Sequence, residues 1–129
     1  MRHSFFSLLV LTACGMAVAA DWPEWGRDGS RNMVAPDAKN LPRTWEVGER
    51  DEDGNTDMST TKNIKFVAKL GSQSYGNPTV ADGRIYVGTN NDSPRDKRFK
   101  GDRSVLYCFD EATGEMIWMR NVPKMGNGK

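Results

Sequence analysis

Short apolar runs with a period of two dominate the second half of the chain, each closed off by a turn signal. Residues 77–81 and 84–89 flank Asp82-Gly83, a dipeptide suited to a type I′ hairpin because both central positions need positive φ. A second pair, residues 104–109 and 115–120, is joined across Asp110-Glu111-Ala112-Thr113-Gly114. Alternation puts Val105, Tyr107 and Phe109 on one face of their strand, with Leu106 and Cys108 on the other. Upstream, residues 64–70 alternate as well: Ile64, Phe66, Ala68 and Leu70 share one side, with Lys65, Val67 and Lys69 opposite, which predicts a further strand. The GSQSYG stretch at 71–76 is a crossing loop, and Gly76 and Pro78 limit where the next strand begins. The prediction is an all-β chain whose centre is a four-stranded antiparallel meander over residues 76–120, interrupted by one polar insertion at 90–103.

The turn after the third strand is the most specific signal. Asp110 and Thr113 can cap it through side-chain to backbone hydrogen bonds, and Gly114 can take the left-handed position. Trp118 then falls on the fourth strand, where its indole is placed to stack on a neighbouring sheet. This run, Cys108-Phe109-Asp110-Glu111-Ala112-Thr113-Gly114-Glu115-Met116-Ile117-Trp118, resembles the tryptophan-docking repeat A-x-D-x-x-T-G-x-x-x-W of PQQ-type (pyrroloquinoline quinone) β-propellers. Cys108 departs from the repeat's Ala, a change to another small, commonly buried residue. Residues 21–28 (DWPEWGRD), Ser30-Arg31-Asn32-Met33-Val34 and Leu41-Pro42-Arg43-Thr44-Trp45 resemble the lead-in of PQQ-binding-like propellers, and with residues 62–78 (KNIKFVAKLGSQSYGNP, Phe66 at a variable position) they are similar in particular to exported proteins of planctomycete type.

The resemblance implies a β-propeller of PQQ-like repeats, with residues 64–70 as an N-terminal closing strand and residues 76–120 as about one four-stranded blade. A ring needs several blades of about 40–45 residues, each burying its faces on its neighbours. The expectation is therefore a truncated N-terminal part of a longer polypeptide. Residues 1–20 would be a signal peptide, 21–63 a lead-in with an acidic loop, and 64–129 the start of the propeller. Its partners would be the missing C-terminal blades and, through rim loops, an envelope protein.

The leader changes the picture of where the chain acts. Arg2 and His3 give a short positive start, residues 5–11 an apolar core, and Ala17-Val18-Ala19-Ala20 a small-residue cleavage site near Ala19 or Ala20. A periplasmic or secreted protein is the first reading. Leu11-Thr12-Ala13-Cys14 also resembles a lipobox, so the alternative is a lipoprotein anchored to the membrane through acylated Cys14. Either way one cysteine, Cys108, is left for the domain, too few for a disulfide or a multi-cysteine metal site, and it reads as a core residue. Cleavage also removes Arg2 and leaves 17 basic against 17 acidic residues, which argues against nucleic acid as a partner.

Candidate chemistry is sparse. Trp22, Trp25 and Trp45 read as packing residues, with a quinone-stacking role as the alternative that the resemblance leaves open. Residues 46–61 lack hydrophobic periodicity and read as a solvated acidic loop. Within it Glu49, Asp51, Asp53 and Gly54 mimic an EF-hand spacing, but Thr60 stands where a bidentate Glu is needed, and no metal site is assigned. The insertion at 90–103 holds Arg95, Lys97, Arg98, Lys100 and Arg103 against Asp92, Asp96 and Asp102, with Phe99 as its one aromatic, and reads as a solvated rim loop. Asn91-Asp92-Ser93 is formally a glycosylation sequon, of little weight behind a bacterial-looking leader. His3, the one histidine, belongs to the leader, so no histidine-based catalytic group is assigned, and Asp110 is structural. Three functional readings follow, the last being a truncated gene product with no independent activity. The first is an exported binding or scaffold module, similar to the propeller lipoprotein of outer-membrane β-barrel assembly. The second is a PQQ-dependent alcohol or sugar dehydrogenase, with PQQ and Ca²⁺ held by blades outside this sequence.

Overall fold

The computed structural model describes residues 21–36 and 38–124. The expected leader, with Cys14, Ala19 and Ala20, lies outside the described residues. Four strands, β1 (Thr79–Ala81), β2 (Arg84–Asn90), β3 (Arg103–Asp110) and β4 (Met116–Pro123), form one antiparallel sheet in sequence order. Among the described residues the one helical stretch is the 3-10 turn Met58–Thr60. The chain is all-β, as the alternating runs predict.

Each strand boundary has a local cause. Asp82 and Gly83 both take positive φ, 51° and 69°, and bring Ala81 opposite Arg84. Between β3 and β4 the register slips: Cys108 faces Trp118 while Phe109 faces Met116, so Ile117 is the extra residue of a bulge. Strand β4 outruns the expected end at Arg120 because Val122 still pairs with Ser104 and Pro123 with Arg103. Proline is admissible there because the last strand in the sheet order has a free side.

The core lies on one face of this sheet. Val87, Val105, Tyr107 and Phe109 are buried together, with Ile85 and Met119 packed against them. The register explains the grouping, since Val87, Tyr107 and Met119 are direct cross-strand neighbours and Ile85 faces Phe109. The Tyr107 and Phe109 rings lie 5.5 Å apart in a tilted contact. Burying side chains of this size contributes about 1.5–3 kcal/mol each, less whatever the unfolded chain already buries.

Residues 64–70 correct one expectation. Their burial alternates as predicted, with Ile64, Phe66, Ala68 and Leu70 half-buried and Lys65, Val67 and Lys69 exposed. They nevertheless belong to no strand: the segment is extended but joins no ladder among the described residues. Packing of Ala68 and Leu70 onto the sheet core sets the alternation, and that requires no hydrogen-bonded partner.

The lead-in meets the sheet through its first two residues, and the Asp21 carboxylate accepts from the Asp82 N–H at 3.2 Å. Trp22 bridges Val80, its N–H donating to the Val80 carbonyl at 2.7 Å and its carbonyl accepting from the Val80 N–H at 2.9 Å. This covers part of the outer side of β1. Packing roles for Trp25 and Trp45 do not hold among the described residues, where these side chains are 63% and 65% exposed. The acidic segment 46–61 is largely exposed but more ordered than a plain loop. Glu46 bridges Lys62, Arg50 bridges Thr56, and Asp57 caps the 3-10 turn by accepting from the Ser59 N–H. Short-range polar side chains organise it, which hydrophobic periodicity does not register.

Candidate functional site

The D-x-x-T-G turn assembles from the side chains the sequence singles out. The Thr113 N–H donates to the Asp110 carboxylate at 2.8 Å and the Thr113 hydroxyl does so at 3.1 Å. The Glu115 N–H donates in turn to the Thr113 hydroxyl at 3.2 Å. Backbone bonds from Gly114 to the Asp110 carbonyl and from Asp110 to the Glu115 carbonyl close the loop. Donation from the Thr113 backbone, then from its hydroxyl, holds the Asp110 carboxyl below its ordinary value. Gly114 has φ of 75°, the left-handed region. It has a second reason to be glycine: a Cβ there would overlap the Phe66 ring. The turn is thus clasped by the segment crossing the covered face, through a residue that sequence reading had treated as variable.

Trp118 lies near the start of β4, just past the bulge at Ile117, on the sheet face opposite the core. Cys108 has Tyr86 and Trp118 as its direct neighbours on β2 and β4. Strands two places apart are separated by about 9.5 Å, yet the two ring centroids are 6.1 Å apart. The rings therefore lean together over Cys108, which has 0% exposure. A small residue is needed beneath them, and cysteine fits there. Trp118 itself stays 38% exposed and Leu106 40% exposed. No neighbouring sheet covers them among the described residues.

Beside this aromatic pair lies a groove of about 370 Å³, lined by Tyr75, Gly88, Leu106, Arg103 and Lys124. Nothing stands within 4 Å of where a Gly88 Cβ would be, so its floor is open backbone. Tyr75 projects at the rim, 91% exposed, its hydroxyl donating to the Gln73 amide oxygen at 3.1 Å. The loop carrying Tyr75 is tied to β2: the Ser74 hydroxyl donates to the Gly88 carbonyl at 2.6 Å, and the Thr89 hydroxyl donates to the Gln73 carbonyl at 2.8 Å. Asn90 bonds Ser72 and Asp92, and approaches so close to Gly71 that a Cβ there would overlap it. Sequence reading makes 71–76 a crossing loop and assigns no binding role to these residues. Tyr86 could have been found by extending the hairpin register to Cys108, whereas Gly88 and Tyr75 become visible only once the loop is seen to fold back.

The polar insertion is pinned at both ends. Asn91 is buried, its amide donating to the Phe99 carbonyl at 2.8 Å while its oxygen accepts from Asn121 at 3.2 Å. An amide nitrogen so engaged is not free for a glycan, which removes the sequon. Arg98 makes a bidentate pair with Asp96, and Arg98 and Arg103 both lie near the Phe99 ring. Two of the loop's five cationic side chains are thereby engaged within it.

In the EF-hand-like stretch the Asp51 carboxylate turns to a local use. Asp51 accepts from the Asn55 N–H at 2.7 Å and from its amide at 3.0 Å, and Thr60 accepts from the Glu49 N–H at 2.8 Å. Among the described residues no three metal-ligating side chains converge, and no helix is long and apolar enough to cross a membrane. Comparison with protein-family models, with curated proteins and with solved structures found no match to this chain, so its architecture rests on the sheet itself.

Proposed function

We propose that this chain is an exported, non-catalytic binding or scaffold module that works by docking the open face of its sheet, as a blade of a PQQ-like propeller would. One observation carries the reading: Trp118, Tyr86 and Leu106 form a half-exposed apolar surface over a fully buried Cys108. The meander order and the D-x-x-T-G turn agree with a blade. The occupant of that face would be a further blade, with envelope proteins meeting the rim loops. Export rests on the leader, with Asp21 or Ala20 starting the mature protein, or a lipidated Cys14.

The quinoprotein reading rests on the resemblance alone. Both readings meet in one experiment. Protein isolated from the cell envelope and supplied with PQQ and Ca²⁺ is expected to leave the quinone absorbance unchanged and to reduce no dye with alcohols or sugars. A quinone complex that reduces dye overturns the docking-only reading. In the same preparation, a photoreactive residue at position 118 is expected to cross-link to protein, and its failure to do so removes the docking face.

A further inference from the structure

Residues 65–71 make no backbone–backbone hydrogen bond among the described residues, although their side chains alternate as a strand's do. The Lys69 carbonyl accepts from the Arg95 guanidinium at 2.8 Å, and the remaining N–H and C=O groups are unpaired by the described protein. Ala68 and Leu70 fasten the segment to the core, so it is held extended without a ladder. Such a segment is a template for strand addition.

A groove of about 600 Å³ runs along it, with residues 67–71 as one wall and the 50–56 hairpin facing them. Three cationic residues, Arg50, Lys69 and Arg95, line this groove, and no acidic residue does. Lys69 is positioned by donating to the Asp53 carbonyl at 2.5 Å, which leaves its charge uncompensated by that contact. The Arg50 side chain pairs with none of the described residues. Val67, 45% exposed, supplies an apolar contact between the charges.

We infer that residues 65–70 form an acceptor strand for an extended acidic peptide segment of another protein. The guest would add by backbone hydrogen bonds, and its alternate carboxylates would meet Arg50, Lys69 and Arg95. Backbone pairing supplies affinity in this mode, and the charges select the guest and speed its arrival. This surface lies on the opposite side of the sheet from Trp118, so the inference stands apart from the docking face.

The probe is a blocked eight-residue peptide alternating Glu with Val, added to the full chain. It is expected to protect the amides of residues 66–70 from hydrogen exchange, and to bind about tenfold more weakly to Arg50→Gln, an exposed change that leaves the core untouched. The same peptide N-methylated at alternate residues keeps its charge but loses its donors, and is expected not to bind. Three results overturn the inference. Equal binding of the N-methylated peptide, or its full displacement by inorganic phosphate, reduces the groove to an anion attractor. Absence of protection at 66–70 under saturating peptide removes the acceptor strand. Amides already protected in the free protein mean that its own chain or a second copy fills the site.

Discussion

The two faces of one sheet are built from the same strands and reach opposite ends. On the face of Val87, Tyr107 and Phe109, the 64–70 segment crosses above the strands and leaves three of the four clustered core residues at 2% exposure. On the face of Tyr86, Leu106 and Trp118 nothing crosses among the described residues, and the aromatic pair shields one cysteine while remaining partly wet itself. Composition already separates them: on β2 and β3 the covered face carries Ile85, Val87, Val105, Tyr107 and Phe109, whereas the open one sets Gly88, Asn90 and Ser104 among Tyr86, Leu106 and Cys108. The covered face also receives another stretch of chain, so it carries the stability of the described fold, while the open one leaves Leu106 and Trp118 partly exposed.

That comparison can be broken by substitution. Phe109→Ala is expected to have the largest effect, about 3–5 kcal/mol from lost burial and the cavity left behind. The urea midpoint of the full chain checks it, and a parent-like midpoint would show the covered face not to be the core. Gly114→Ala should follow at about 2–3 kcal/mol, since the new side chain meets both the left-handed backbone and Phe66. Gly83→Ala has the same backbone strain but open space around it, so about 1 kcal/mol is expected. Equal losses at the two glycines would mean that Phe66 does not clasp the turn.

Trp118→Ala tests the open face. Its partial exposure predicts a loss of about 2 kcal/mol, below the value for a fully buried aromatic. Its sharper readout is Cys108, whose thiol should label faster with a thiol reagent once the indole is gone. An unchanged labelling rate would show that the rings do not lid the cysteine. The smallest effect belongs to acid. Because the folded state lowers the Asp110 pKa, its contribution is complete above the ordinary aspartate value of about 3.9 and is lost as pH falls through the lower folded value. Asp110→Asn should flatten that part of a stability-against-pH curve, and a curve identical to the parent's would assign the acid sensitivity elsewhere.

Much of the fold was legible in advance. Period-two runs located all four strands, and Asp82-Gly83 and Asp110-x-x-Thr113-Gly114 specified both hairpin turns through chemistry contained within five residues. Local rules were enough there because backbone sign and capping depend on near neighbours. They were not enough at residues 64–70, where alternation reports one buried side and cannot say whether a ladder partner exists. Nor could they place Trp25 and Trp45, whose size suggested burial that no arriving segment provides among the described residues.

The candidate site divides in the same way. Sequence by itself determined the turn, the strand that carries Trp118 and the small residue at 108, because each follows from spacing along one hairpin. Only the tertiary structure decided that Tyr86 leans over Cys108, that Phe66 requires Gly114, and that Arg50, Lys69 and Arg95 share a groove. Those relations join residues 19 to 48 positions apart, or neighbours across three strands, and they exist only once packing has chosen which side of the sheet each segment crosses.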